Sequence, residues 1–195
     1  MAILVIFDIE GGTAEQYERI NEIAEIEGSE DAPPGLIQHL AGPTEGGFLI
    51  ADLWESAEAF EAFAERLIPI VAEVMGPEAA ETPPRIHDVH NHLEGSGESA
   101  AIIMVADVPG MTTDQYDQMV GDIPDHDTGH PSVYHIAAIT DDGLLVVDVW
   151  ESEEAFGSFI DQQVGPAGEQ AEMPEFTPRI VPVHNRMTPE SSVNS

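Results

Sequence analysis

The stretch Asp52-Leu53-Trp54-Glu55-Ser56, with Phe60 and Phe63 behind it, occurs again as Asp148-Val149-Trp150-Glu151-Ser152 with Phe156 and Phe159. Each residue of the second copy stands 96 positions after its counterpart (148 − 52, 156 − 60). The repetition spreads outward. His39-Leu40-Ala41 returns as His135-Ile136-Ala137 at the same offset. Asp8, Gly11, Thr13, Gln16 and Tyr17 return as Asp107, Gly110, Thr112, Gln115 and Tyr116, at an offset of 99 (116 − 17). Arg85, Val89, His90 and Asn91 return as Arg179, Val183, His184 and Asn185, at 94 (184 − 90). The offset changes only between blocks, so length differences belong to loops. One module, duplicated and fused, explains this pattern, and two copies suit a covalent version of a two-fold homodimer.

Each copy reads strand, helix, strand, strand, helix, strand. Ile3 to Ile9 is an apolar, β-branched run stopped by Gly11-Gly12. Thr13-Ala-Glu-Gln16 is a capping-box pattern, with Tyr17, Ile20, Ile23 and Ala24 on one helical face. Leu36 to Ala41 and Phe48 to Trp54 read as strands around a Gly-rich hairpin, which looks tighter in the second copy at Asp141-Asp142-Gly143. Ser56 is an N-cap for a helix with apolar residues at helical spacing, which Pro69 is expected to kink or end. Arg85 to His92 closes the first copy. The expected organisation is a first repeat over 1–93, a flexible linker over 94–99, a second repeat over 100–187 and a frayed polar tail over 188–195. The order βαββαβ is the split βαβ, or ferredoxin-like, unit of the α+β class. Its strands carry large apolar residues on both faces, which predicts two sheets packed face to face.

The charge is extreme: 38 acidic residues and five Arg, with no Lys, leave −33. Such a field repels nucleic acid and anionic membranes as partners. It suits a protein of concentrated salt, where the Debye length falls to ~3 Å and self-repulsion is screened. The chain has no Cys, which excludes disulfides and thiolate chemistry. No apolar run is long enough for a membrane span or a signal peptide, so a cytoplasmic location is expected.

The segment Gly47 to Phe63, the strand-one Gly turn and the closing Val89-His90-Asn91 resemble the dimeric α+β barrel superfamily, and within it the antibiotic biosynthesis monooxygenase-like (ABM-like) group. The resemblance covers almost the whole chain, twice. It implies two ferredoxin-like units forming an intrachain, pseudo-dimeric α+β barrel, with higher homo-oligomers as a further option. It also implies small-molecule chemistry, since the superfamily includes cofactor-free oxygenases, isomerases and haem-degrading enzymes beside proteins without known activity.

Strand alternation places Phe48, Ile50, Asp52 and Trp54 on one face and the aliphatic Leu49, Ala51 and Leu53 on the other, which suits packing under helices. A pocket holding His39, Asp52, Trp54, His90 and Tyr17 is then expected in the first half. Its equivalent in the second half holds His135, Asp148, Trp150, His184 and Tyr116, with Tyr134 at the rim. In the functional reading, His39 and His135, oriented by Asp52 and Asp148, act as general bases on an activated C–H or a phenolic O–H, with no cofactor. In the plainer reading, the aromatics are core and the polar groups satisfy one another. Asp125, His126, Asp127 and His130 read as a solvated loop rather than a metal site, and no metal-ligand motif is present. Three functions follow: a cofactor-independent monooxygenase or isomerase, a non-catalytic ligand-binding or stress-related module, and a haem-binding or haem-degrading protein. Whether the protein is an enzyme stays open at this level.

Overall fold

The computed structural model describes residues 1–124 and 129–189. The first repeat forms β1 (Ile3–Glu10), α1 (Ala14–Ala24), β2 (Leu36–Thr44), β3 (Gly47–Trp54), α2 (Ala57–Met75), a short α3 (Pro77–Glu81) and β4 (Arg85–Glu94). The second forms β5 (Ile102–Pro109), α4 (Thr113–Asp122), β6 (Tyr134–Ile139) and β7 (Gly143–Trp150). It continues through α5 (Glu153–Phe159), a π turn (Ile160–Val164), α6 (Gly165–Gln170), β8 (Arg179–Pro182) and β9 (Asn185–Met187). This is the α+β order read from the sequence. The same local signals start equivalent helices. Thr13 and Thr112 each close a capping box with Gln16 and Gln115, and Ser56 and Ser152 accept from the amides of Ala59 and Ala155.

The compact units do not coincide with the repeats. One unit is Met1–His87 together with the segment from Val183 onward, and the other is Asp88–Pro182. In unit 1 the strand order is β4-β1-β3-β2-β9, and β9 pairs with β2 through His39↔Met187 and Ala41↔Asn185. In unit 2 the order is β8-β5-β7-β6-β4, and β4 pairs with β6 through Leu93↔His135. The closing strand of each repeat therefore begins beside its own first strand and ends on the middle hairpin of the other unit. The exchange covers the open edges of β2 and β6, which otherwise present unpaired backbone groups. In the second repeat this strand is broken between β8 and β9, where Pro182 stands at the position of Asp88; proline has no N–H to give to a ladder.

Several expectations need correction. β2 runs on to Thr44, so the first hairpin closes over Glu45–Gly46 and is the tighter one; the second leaves residues 140–142 between its strands. α2 passes through Pro69 to Met75. Pro69 and Glu65 both lie on the exposed face, so the Glu65 carbonyl that loses its partner is left to water. The linker over 94–99 is pinned rather than flexible. The amides of Gly95, Ser96 and Gly97 donate to the carbonyls of Val133, His130 and Ser132, and those of Glu98 and Ser99 donate to the Glu151 carboxylate. A β-carbon at Gly95 would collide with the Ser132 carbonyl oxygen. Thr188 bonds Ser29 and Gln38, so the tail is anchored at its start. Residues 190–195 lie outside the described residues.

The helices cover the opposite sheet face from the one expected. Tyr17 of α1 stacks on Phe48, and Trp54 packs against Phe60 and Phe63 of α2. The mixed face of β3 thus lies under the helices, because its aromatics fill the wide space between helix and sheet. Leu49, Ala51 and Leu53 lie on the other face and are also fully buried.

Candidate functional site

Two hydrogen-bonded chains of four side chains stand out, one in each unit. In unit 2 the Asn91 amide donates to the Tyr116 hydroxyl oxygen at 3.1 Å. Tyr116 and His135 Nε2 are 2.7 Å apart, and His135 Nδ1 is 2.6 Å from Asp148 Oδ1. In unit 1 the Asn185 amide donates to Tyr17 at 2.7 Å, Tyr17 meets His39 Nε2 at 2.7 Å, and His39 Nδ1 meets Asp52 Oδ1 at 2.7 Å. Local structure explains the match. His39↔Asp52 and His135↔Asp148 are direct cross-strand partners, so the pairs form from sheet register alone. The tyrosines sit one turn into capped helices, and the asparagines arrive on the exchanged strands.

The proton positions follow from donor and acceptor capacity. An ionised carboxylate only accepts, so the imidazole carries its proton on Nδ1. Nε2 then accepts from the tyrosine O–H, whose oxygen accepts from the asparagine. All four members are satisfied, as buried polar groups must be. Tyr116, His135 and Asp148 are at most 5% exposed. Burial pushes the Tyr17 hydroxyl above its usual pKa of 10.0, while the Asn185 and Asn21 amides pull it part of the way back. The unit 1 chain therefore holds its proton on the phenol.

The histidines of the Val-His-Asn segments change places relative to expectation. His184, not His90, sits edge-on to Tyr17 at 5.7 Å and faces Glu18 at 3.3 Å. His90, not His184, sits edge-on to Tyr116 at 5.5 Å and bonds Asp117 at 2.7 Å. The strand exchange causes this. Trp54 and Trp150 lie behind the carboxylates, and the Trp150 indole N–H reaches Asp148 Oδ2 at 3.4 Å. Tyr134 is not a rim residue. The pleat turns it away from His135, and its hydroxyl bonds His92 at 3.1 Å.

A cavity of about 60 Å³ lies between sheet and helices of unit 2, and Tyr116, His135 and Asp148 line it. A fourth polar residue of its wall is His130, which the sequence reading left in a solvated loop. It is 2% exposed, stands 5.1 Å from the His135 ring and 4.8 Å from Phe159, and accepts at Nδ1 from the Ser132 amide at 3.2 Å. Its unit 1 counterpart is Pro34, so no repeated residue flagged it. The Asn91 and Asn185 roles were also missed, although both asparagines are part of the repeated Val-His-Asn. Asp125, His126 and Asp127 lie outside the described residues. Among the described residues no group of three or more His, Asp or Glu is arranged to hold a metal ion. No helix among them is long and apolar enough to cross a membrane.

No known family profile matches the sequence, and no curated protein matches it. Solved structures match over nearly the full length. An anthrone oxidase-like protein aligns over 100% of this chain and 95% of its own, at 16% identity and a TM-score of 0.53. A monooxygenase-like protein from Fusobacterium nucleatum aligns over 96% and 94%, at 10% identity and 0.68. A ferredoxin-fold protein of Listeria monocytogenes related to antibiotic biosynthesis monooxygenases aligns over 95% of each chain, at 12% identity and 0.52. At these identities the likeness is one of fold. The chain has the ferredoxin-like α+β fold of these proteins.

Proposed function

We propose that this chain is a tandem-duplicated, salt-adapted ABM-like protein that binds a small molecule in unit 2 and takes a proton from it through Tyr116, His135 and Asp148. The cavity wall carries the reading: it brings together three of the four members of the chain, with His130 beside them, in a space whose other lining residues are apolar. A substrate C–H or O–H gives its proton to the Tyr116 oxygen as the Tyr116 proton passes to His135 Nε2. The imidazolium that results is held by the Asp148 carboxylate. The negative charge left on the substrate then has two fates. Returned to another carbon with the proton, it completes an isomerisation. With dioxygen as co-substrate, a CH2 group becomes a carbonyl and one dioxygen yields one water. The strongly acidic surface favours a cytoplasm rich in salt and disfavours nucleic acid.

A second reading has the polar chains serve only to lock the exchanged strands. The unit 1 chain supports it, since Asn185 ties β9 to Tyr17 in a buried setting. Haem is disfavoured because a cavity of about 60 Å³ is far too small for the macrocycle.

The test is turnover of the full chain in molar KCl with enolisable ketones and phenols, followed by dioxygen uptake and by isomer analysis. His135→Ala should lower turnover by ~10²–10⁴-fold, the scale of a lost general base. His39→Ala should change it little. Equal losses from both, or no turnover with any compound, would favour the locking role.

A further inference from the structure

We infer that the unit 2 cavity is an adaptable site for one neutral ring bearing a single hydroxyl or carbonyl oxygen, and that it turns away carboxylates and fused rings. This deepens the function proposed above and rests on that cavity being the ligand site.

Charge sets the first limit. The cavity is almost wholly apolar, and among the described residues neither Arg nor Lys lines it. Its one acidic residue among the described residues, Asp148, is already committed to His135. An anion would have to approach a chain of net charge −33 and settle beside a carboxylate with no cation to meet it. A neutral ligand avoids both costs. The polar end is formed by Tyr116 and His130 beside His135, and a ligand oxygen placed there meets polar side chains rather than hydrocarbon.

Size sets the second. The cavity holds about 60 Å³ as it stands, whereas a rigid apolar cavity that takes benzene measures ~150 Å³. A ring therefore enters only if the wall yields, and the wall is built to yield. Four of the seven methionines, Met104, Met111, Met119 and Met173, line it. Methionine is unbranched, has three rotatable bonds and makes favourable contacts with aromatic rings. The unit 1 residues at the first three positions, displaced by 99, are Val5, Gly12 and Ile20 (104 − 5, 111 − 12, 119 − 20). The helix over the cavity also departs from α geometry. Ile160 and Val164 begin and end the π turn, and both line the space; such turns recur at functional sites. One ring needs a dilation of about 90 Å³ by the comparison above, and a fused second ring needs considerably more.

The experiment is methyl NMR of the full chain, carrying 13C-methyl methionine in molar KCl, titrated separately with phenol, benzene, benzoate, 1-naphthol and xenon. Phenol should shift the methyls of Met104, Met111, Met119 and Met173 and leave Met75 and Met187 in place, with benzene weaker and benzoate and 1-naphthol without effect. Xenon alone shifting them would show a rigid, gas-sized cavity and overturn the inference. Benzoate matching phenol would overturn the charge argument, and 1-naphthol matching it would overturn the size limit. Met119→Ile should weaken phenol several-fold and spare xenon; Met104→Leu, which conserves volume better, is the second variant, and circular dichroism verifies folding of each. Equal phenol affinity in both folded variants would show that the thioethers are not what yields. In Tyr116→Phe, phenol should fall to the affinity of benzene while the methyl shifts persist. Phenol binding with no proton-transfer activity would sink the relay and leave the ligand class intact, whereas no methyl shift with any ring would sink the ligand class itself.

Discussion

Unit 1 and unit 2 carry the same Asn-Tyr-His-Asp chain under different roofs. In unit 1 Tyr17, His39 and Asp52 lie in a unit whose long helix, α2, is unbroken over 19 residues. In unit 2 the corresponding helix is divided into α5, the π turn and α6, and the chain borders a cavity. At the positions of Met104, Met111 and Met119, unit 1 has Val5, Gly12 and Ile20. In each copy the hydrogen-bonded chain joins an exchanged strand to a helix, through Asn91 to Tyr116 and through Asn185 to Tyr17. In unit 2 that chain lines a cavity whose wall holds four methionines.

Charge separates the units too, and the largest expected effect lies here. Unit 1 has nineteen acidic residues against four Arg, a net of −15, while unit 2 has nineteen against Arg179 alone, a net of −18. Both should loosen as salt is withdrawn, since self-repulsion is then unscreened. Unit 2, with more net charge on a slightly shorter segment, should loosen first. The two tryptophans, one per unit, report this separately. In Trp54→Phe and Trp150→Phe proteins the remaining fluorophore should lose its buried emission on dilution of KCl, Trp150 at a higher concentration than Trp54. Coincident transitions would make the two units one cooperative body, and a melting temperature indifferent to KCl would remove the case for salt adaptation.

Most of the fold was legible in the sequence, and the reasons are local. Thr13-x-x-Gln16, Thr112-x-x-Gln115, Ser56 and Ser152 start their helices by hydrogen bonds within four residues. The pairs His39–Asp52 and His135–Asp148 were legible because a hairpin fixes cross-strand neighbours. What could not be read was non-local. Repetition showed that His90-Asn91 and His184-Asn185 are equivalent, but not that each reaches the other unit, since that depends on pairings formed far apart in the chain. His130 was hidden for another reason: a histidine between Gly129 and Pro131 reads as loop, and only the aromatic surroundings of Trp150 and Phe159 bury it. The helix-facing side of β3 was misassigned because aliphatic content was weighed above room, and the broad rings of Phe48 and Trp54 need the space beneath helices.

The same two tryptophans give a finer comparison. Trp150 donates to the Asp148 carboxylate at 3.4 Å, whereas the buried Trp54 indole N–H has no hydrogen-bond partner among the described residues. Replacing Trp54 by Phe removes an unsatisfied donor along with some packing. Replacing Trp150 removes similar packing and a bond to a charged acceptor. Trp150→Phe should thus destabilise more than Trp54→Phe, by about 1 kcal/mol, the net worth of one modest hydrogen bond. Chemical denaturation in molar KCl measures the difference. Equal costs would mean that the long bond to Asp148 contributes nothing and that the two indoles serve packing alone.

The smallest expected effect concerns His92 of unit 2, which has Arg186 as its unit 1 counterpart. His92 Nδ1 lies 3.1 Å from the Tyr134 hydroxyl. Partial burial holds its pKa below the usual 6.5. A histidine whose folded pKa is depressed binds fewer protons folded than unfolded. Its contribution to stability is whole above pH 6.5 and is lost as the pH falls below that value toward the folded pKa. Arg186 stays charged throughout, so unit 1 has no such dependence at this position. The loss is small, because much of the His92 ring remains in contact with solvent. Denaturation midpoints from pH 7.5 to 5.5, read through Trp150 in the Trp54→Phe background, should fall slightly, and His92→Gln should flatten that fall. If the midpoint of the Gln variant declined as steeply, His92 would not be the group responsible, and the acid response of unit 2 would have to come from its other histidines.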